Sequence, residues 1–212
     1  MEAPGMLHQS AETVPVIVRD YFDWHRGRND FGVWLIESDN EEISRHVEAA
    51  REHLSDYLLK PYKRQPHITM FVCGFLVDNP SYDDDYGSGQ FRIHARALKD
   101  ANVGPFFIET EALNSFSSAP FLEVRDLEGG IAKVRTILST MAKEVWTSHF
   151  TPHITVGLYS GTFSSSIVVR KISSFPVKPI RVKVERLKFA TYDAHEIAGE
   201  LTYRHEVALL TR

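Results

Sequence analysis

The sequence has little cysteine, no long apolar run and no excess of positive charge, and each shortage excludes a class of protein. Cys73 is the only cysteine among 212 residues, so an internal disulfide and a zinc site built on several thiolates are excluded. No run of about 18 apolar residues occurs, so we expect no membrane-spanning helix. The net charge of −4 is unlike that of a protein that binds long duplex nucleic acid through a basic surface.

The remaining composition is that of an ordinary globular protein. Hydrophobic residues make up 43% and charged residues 25% of the chain, a balance that supports a buried core. The length allows one large domain or two small ones. The first ten residues are polar and lack the apolar stretch of a secretory signal, so we expect a cytoplasmic protein. We also expect a monomer without a membrane partner.

Apolar periodicity predicts helices and strands in alternation along the chain. Spacings of three and four predict helices over residues 16–25, 41–59, 90–101, 128–146 and 163–172. Compact or alternating apolar runs predict strands over residues 31–36, 66–75, 105–113, 120–124, 151–159, 181–192 and 200–210. The polar stretch 78–89 is rich in turn-forming residues and is typical of a loop.

The predicted elements form an internal repeat. A strand, a helix, a strand, a second helix and a long strand follow one another over residues 31–116, and again over residues 120–211. The segment between the halves is too short for a flexible linker, so we expect a single domain with two lobes over residues 31–212. Residues 1–30 are an extension that we expect to consist of a loose arm and a short helix.

A four-residue motif opens the strand that follows the long helix in each half. His67-Ile68-Thr69-Met70 recurs as His153-Ile154-Thr155-Val156, and a proline precedes both copies. Side chains alternate across a strand, so the histidine and threonine of each copy share one face and the isoleucine points to the core. The same alternation places Phe71 and Cys73 on the face of His67, and Tyr159 on the face of His153. Two such strands around one groove would bring two imidazoles and two hydroxyls together.

This set of side chains suits the cleavage of a phosphodiester. A neutral imidazole can accept a proton from an attacking water or hydroxyl, and a protonated imidazole can donate one to the leaving oxygen. Threonine hydroxyls can donate hydrogen bonds to the phosphate oxygens that carry charge in the transition state. One histidine at a strand start is usually structural, but two copies in register with a repeat favour catalysis. The scheme needs no metal and no other cofactor.

The paired motifs resemble those of the 2H phosphoesterase superfamily, which includes bacterial 2′-5′ RNA ligases and cyclic phosphodiesterases. The resemblance covers about residues 31–211 and implies an α+β fold with two lobes in pseudo-two-fold relation, two antiparallel sheets that line a central cleft, and helices outside. It implies metal-independent cleavage of 2′,3′-cyclic phosphates or 2′-5′ phosphodiester bonds in nucleotides or short RNA ends. By this resemblance His67 and His153 are catalytic, with His153 favoured as the base, and Thr69 and Thr155 contact the phosphate.

Three further residues are candidates for substrate binding. Phe71 and Tyr159 could stack on a nucleobase, or they could be ordinary aromatic residues of the groove floor. Arg64 is close to His67 in the sequence and could hold the phosphate.

Two patterns that suggest metal binding have simpler interpretations. Residues 83–85 are consecutive aspartates without the spacing of a calcium loop, so we expect a solvated turn. His149 and His153 would form a zinc pair only on a helix, which Pro152 and the β-favouring residues after it disfavour.

Other functions on the same scaffold stay open at the level of sequence. The alternatives are hydrolysis of a cyclic oligonucleotide or 2′-5′ oligoadenylate signal, reversible 2′-5′ RNA ligation, and nucleotide binding without turnover. The acidic net charge argues mildly against ligation of tRNA-sized substrates, and the presence of every motif histidine and threonine favours catalysis over binding alone.

Overall fold

The computed structural model describes residues 5–145 and 150–210, and these form a mixed α+β fold. The α-helices are α1 (Phe22–His25), α2 (Glu41–His53), α3 (Ser88–Asp100), α4 (Gly130–Met141) and α5 (Ser165–Ser173). The strands are β1 (Asp30–Glu37), β2 (His67–Val77), β3 (Asp85–Gly87), β4 (Phe106–Ser115), β5 (Pro120–Asp126), β6 (His153–Thr155), β7 (Arg181–Val184), β8 (Arg186–Asp193) and β9 (Thr202–Ala208).

The strands form two sheets. The first has the order β3-β2-β1-β8-β9, and the second has the order β6-β5-β4-β7. All neighbouring strands are antiparallel except β2 and β3, which are parallel. The predicted strand 181–192 is in fact two strands, because the chain leaves the second sheet after Val184 and enters the first at Arg186.

Each half of the sequence repeat contributes to the other half's sheet. Strand β4 of the first half pairs with β5 and β7, and β8 of the second half pairs with β1 and carries β9 with it into the first sheet. The orders β2-β1-β8 and β6-β5-β4 are therefore equivalent, with the two motif strands β2 and β6 in matching places. The element order of the repeat is as predicted, but neither sheet is built from the strands of one half alone.

Local chemistry sets the ends of the long helices. The side chain of Asn40 accepts hydrogen bonds from the backbone N–H groups of Glu42 and Ile43 and so caps the start of α2. This helix ends at His53, six residues before the predicted end at Leu59, whose N–H donates to Leu158 of the opposite lobe. Helix α4 starts at Gly130. A side chain at this position would collide with Phe106, because a Cβ would lie 2.0 Å from its ring.

The buried core is continuous across both sheets. One cluster includes Trp34 of the first sheet, Leu122 of the second, Val47 of α2 and Leu138 of α4. Burial of apolar surface at about 25 cal/mol per Å² makes this shared core the main stabilising contribution. It also fixes the two sheets relative to each other, which matters because each carries one motif.

Other predicted element bounds also need revision. The loop predicted over residues 78–89 contains β3, which pairs with the end of β2. The helix predicted over 128–146 ends at Met141, and its predicted last residue, Trp146, lies outside the described residues. Within the described ranges, no helix is long and apolar enough to cross a membrane.

Candidate active site

The first motif lies at the start of β2, and a β-bulge follows it directly. His67 pairs with Glu37 and Thr69 with Leu35, but the pairing shifts by one residue before Phe71, which faces Trp34. The extra residue, Met70, reverses the alternation beyond the motif. His67 and Thr69 therefore share the cleft face with the later residue Val72 rather than with Phe71.

The bulge overturns the prediction that Phe71 lies beside His67. Phe71 is fully buried, and its ring meets the edge of the His94 ring at a centroid distance of 5.1 Å. Cys73 is buried in the same core rather than on the histidine face. Phe71 cannot reach a ligand in the cleft.

The second motif occupies a strand of only three residues. His153 pairs with Glu123 and Thr155 with Phe121 at the edge of the second sheet, and the strand ends there. The alternation assumed for Tyr159 therefore does not apply. Tyr159 is fully buried, and its hydroxyl lies 2.6 Å from the Ser115 hydroxyl, so the predicted stacking position on the cleft is wrong.

Both motifs open onto one cleft between the sheets. The cleft has a volume of about 350 Å³, and all four motif side chains, His67, Thr69, His153 and Thr155, line it. The rest of the wall mixes aromatic, charged and small residues. These are Val33, Tyr62, Arg64, Val72, Phe116, Ser118, Ala119, Arg135, Glu144, Phe150, Thr151, Leu158, Tyr192 and Ala198.

The two histidines are held by the same local hydrogen bond. His67 Nδ1 lies 2.8 Å from the Gln65 carbonyl oxygen, and His153 Nδ1 lies 2.7 Å from the Thr151 carbonyl oxygen. A carbonyl can only accept, so each Nδ1 carries the hydrogen and donates it. In the neutral ring this leaves the Nε2 lone pair free, and Nε2 is the atom available for proton transfer.

Burial sets the charge of both rings in the empty cleft. It lowers the pKa of His67 to about 4, against the opposing hydrogen bond to Gln65, and the nearby charges of Arg64 and His153 lower it further. Burial likewise lowers the pKa of His153. Both rings are therefore neutral near pH 7, and a bound phosphate anion would favour protonation of either.

The two threonines complete the polar floor of the cleft. Both side chains are half-buried, and neither hydroxyl makes a hydrogen bond within residues 5–145 and 150–210. Each hydroxyl can therefore donate to a ligand without first breaking a protein hydrogen bond.

Comparison with known proteins decides the family. A family model described as the 2′-5′ RNA ligase superfamily matches residues 39–196. The chain belongs to this superfamily of 2H phosphoesterases. A search of curated proteins finds no match.

Solved structures of the superfamily share the fold at low sequence identity. Escherichia coli LigT complexed with 3′-AMP is 13% identical, with a TM-score of 0.56, over 87% of this chain and 100% of LigT. The TT0787 protein of Thermus thermophilus is 13% identical, with a TM-score of 0.56, over 84% of this chain and 97% of its own. A structure described as a phosphoesterase is 15% identical, with a TM-score of 0.56, over 86% of this chain and 99% of its own.

Arg64 lies where the sequence predicted, on the cleft wall near His67. Its Nε donates to the Gly199 carbonyl oxygen at 3.1 Å, and its guanidinium lies 4.0 Å from the ring centroid of Tyr192. Tyr192 itself is a cleft residue that sequence reasoning missed, because it lies at the end of a predicted strand far from either motif.

A second cation of the cleft was also missed. Arg135 of α4 donates to the Met70 carbonyl oxygen at 2.5 Å and to a Glu144 carboxylate oxygen at 2.9 Å, and it stacks on Phe150. Glu144 also accepts a hydrogen bond from the Val72 N–H of β2. Helical periodicity gave no sign of this role.

Phe116 and Phe121 are aromatic residues that contact His153, and of these two Phe116 lines the cleft. The Phe116 ring centroid lies 5.1 Å from that of His153, and the two planes meet at 83°. The sequence placed Phe116 only in a serine-rich turn between two strands, where nothing marked it as a cleft residue.

The clusters that suggest metal binding have other partners. Asp84 and Asp85 form ion pairs with Arg28. The turn that we expected to be solvated is therefore bound to the N-terminal extension, and Asp85 is buried. Ligand atoms of Asp20, His25 and His195 lie within 4.8 Å of one another. His25 Nδ1 accepts the Gly27 N–H, so its Nε2 carries a hydrogen toward Asp20 rather than a lone pair for a metal. The zinc pair weighed for His149 and His153 lies partly outside the described residues.

Proposed function

We propose that this protein is a metal-independent phosphodiesterase that cleaves 2′,3′-cyclic phosphates or 2′-5′ phosphodiester bonds in nucleotides or RNA ends. The observation that carries the proposal is the matched pair of histidines: both Nδ1 atoms donate to a carbonyl two residues earlier, and both rings line one cleft. Family membership supports phosphoester chemistry but does not select the bond.

The proposed reaction needs one neutral and one protonated ring. The neutral Nε2 accepts a proton from water as the water oxygen attacks phosphorus. The P–O bond to the ribose oxygen breaks, and the protonated Nε2 of the other histidine donates its proton to that oxygen. The two rings end with their protonation states exchanged, and solvent restores the starting state.

The threonines and the cleft cations would stabilise the charge on phosphorus. Thr69 and Thr155 flank the two rings and have free hydroxyls to donate to the non-bridging oxygens. Arg64 supplies a positive charge on the wall beside His67. The ion pair with Glu144 neutralises much of the charge of Arg135, so we assign the phosphate to the Arg64 side of the cleft.

The size and lining of the cleft favour a nucleotide or the end of a short RNA. A volume of about 350 Å³ has room for little more than one nucleotide, and Tyr62, Phe116, Phe150 and Tyr192 offer aromatic surface for a base. The structures of E. coli LigT hold 3′-AMP, NADP+ and ATP, which is consistent with a nucleotide as the ligand here. Cytoplasmic location and a monomeric state stay predictions from the sequence.

The proposal is tested by turnover of 2′,3′-cyclic AMP and of 2′-5′ oligoadenylate in excess chelator. We expect undiminished cleavage of at least one substrate, and its loss in His67→Ala and in His153→Ala. Cleavage that disappears on chelation and returns with a divalent cation would show that the proton-transfer mechanism is wrong. Cleavage of the oligonucleotide alone would restrict the function to 2′-5′ linkages.

A further inference from the structure

The N-terminal extension is fastened to the loop between β6 and α5 rather than loose. Thr13 donates its N–H to Phe163 O at 2.9 Å, while its hydroxyl donates to Gly161 O at 2.9 Å and accepts from the Phe163 N–H at 2.8 Å. Val16 donates to Tyr159 O at 3.0 Å. Only 2% of Thr13 is exposed, so these hydrogen bonds are shielded from water.

The extension holds the turn of residues 116–119 from both sides. Ser117 donates its N–H to Gly5 O at 2.8 Å, and its carbonyl accepts the Val14 N–H at 2.7 Å. Met6 forms a bridge with Phe116. The turn is thus paired with two separate stretches of the extension, which leaves its backbone little freedom.

The turn of residues 116–119 forms part of the cleft wall. Phe116, Ser118 and Ala119 line the cavity, and the Phe116 ring meets the His153 ring edge-on. Phe121 of β5 also contacts this ring, at a centroid distance of 5.2 Å, so a displacement of the turn would remove one of two aromatic contacts that orient His153.

The same extension reaches the opposite wall. Trp24 packs on Phe31 and Phe75 of the first sheet, at centroid distances of 5.1 and 5.0 Å. Asn29 O accepts the Ala194 N–H at 2.7 Å, two residues beyond the cleft residue Tyr192. Residues 17–23 separate Val16 from Trp24, a span of at most about 29 Å when fully extended.

We propose that residues 5–30 are a positioning element of the catalytic cleft, which holds the Phe116–Ala119 turn against His153 and ties that wall to the one that carries Tyr192. The expected loss of turnover rests on the proposed function, whereas the expected displacement of the His153 ring does not. The extension lies outside residues 39–196, the part of the chain that the family model matches.

Thr13 gives the sharpest test, because its hydroxyl joins the extension to the loop between β6 and α5 and does not line the cleft. Thr13→Val keeps the shape and removes both hydroxyl hydrogen bonds, whereas Thr13→Ser keeps them. Glu12→Ala, at an exposed neighbour on the same arm, is the matched control. The full-length variants are compared by steady-state kinetics on the cleaved substrate and by the pH titration of the His153 ring resonance in NMR spectra without substrate.

We expect Thr13→Val to lower kcat about tenfold with KM changed less than about twofold, since small misplacements of a catalytic group can cost up to about 10²-fold. The His153 resonance and its titration should shift in Thr13→Val, and Thr13→Ser and Glu12→Ala should match the wild type. An unshifted His153 resonance in folded Thr13→Val would overturn the proposal, whatever the kinetics.

Two further comparisons keep the outcome decisive. If Thr13→Val fails to fold, Phe116→Leu takes its place, because it removes the ring contact at the other end; an unchanged His153 resonance there also overturns the proposal. If His153→Ala retains full turnover, the proposed function fails, but a shifted resonance in Thr13→Val still supports the positioning role. If His153→Ala loses turnover but Thr13→Val keeps the wild-type kcat, the extension does not contribute to catalysis, and that part of the proposal is wrong.

Discussion

At the scale of single residues, the Pro-His pair explains why both rings have the same orientation. In each motif the carbonyl that accepts from Nδ1 precedes the proline, so the fixed φ of Pro66 or Pro152 lies between the acceptor and the ring. The identity of the four residues Pro-His-Ile-Thr therefore predicts more than two polar side chains. It predicts that the same hydrogen bond orients the histidine ring at both motifs, which the alternation of side chains along a strand could not predict.

The lowered pKa values of the histidines predict an acidic optimum for the free enzyme. Turnover needs one protonated ring, and burial makes protonation of both His67 and His153 harder than in water. The dependence of kcat/KM on pH, which reports the pKa values of the free enzyme, should therefore be a bell centred below about pH 6.5. A bound phosphate anion attracts the proton, so the bell of kcat should lie at higher pH. Coincident bells centred above pH 7 would contradict this assignment of charge.

The order of the two roles can be read from the same titration. The charge of Arg64 adds to the lowering of the His67 pKa, whereas only burial lowers that of His153. A first proton on His153 would make it the acid, opposite to the order that the resemblance favours. Because the rings are coupled, the apparent values belong to the pair, and single-alanine variants are needed to assign the limbs.

At the scale of elements, strand periodicity predicted the motifs and failed beyond them. The isoleucines of both motifs are fully buried, or nearly so, as alternation requires. The bulge at Met70 and the early end of β6 then moved Phe71 and Tyr159 into the core. Bulges depend on the pairing of two distant strands, so a single strand's sequence carries no sign of them.

This reversal predicts that Phe71 and Tyr159 contribute to stability rather than to substrate binding. Phe71→Ala should lower the free energy of unfolding by about 3–5 kcal/mol, because it empties a buried aromatic site. Tyr159→Phe should lower it by about 1 kcal/mol through loss of the hydroxyl pair with Ser115. Chemical denaturation measures both, and kcat/KM per folded molecule should change less than about threefold. A KM rise in Phe71→Ala that depended on the substrate base would support the discarded stacking role.

At the scale of the whole molecule, the sequence repeat predicted the fold class and the bilobal arrangement but not the exchange of strands. The order of elements in each half was visible in the periodicity. That β4 and β8 cross to the other half's sheet is a matter of long-range pairing, which the halves' own sequences do not encode. The cleft residues Arg135, Phe116 and Tyr192 were missed for the same reason, since only the assembled sheets bring them to the motifs.

Strand exchange predicts that neither half folds alone. A chain of residues 1–118 would lack β8, which covers one edge of β1, and a chain of residues 119–212 would lack β4, which lies between β5 and β7. Each fragment should therefore show little native secondary structure by circular dichroism, and mixing the two should restore it together with turnover. Independent folding of either fragment, seen as a cooperative thermal transition, would contradict the exchanged topology.

The most direct test of the central claim compares kcat for His67→Ala, His153→Ala and the double variant. Two rings that act on one phosphate form a unit, so we expect each single variant to lose about 10²–10⁴-fold and the double variant to lose little more. The Nδ1 hydrogen bonds are local, and circular dichroism should confirm an unchanged fold in all three proteins. Near-native turnover in either single variant, or losses that multiply in the double variant, would show that the two histidines are not one catalytic pair.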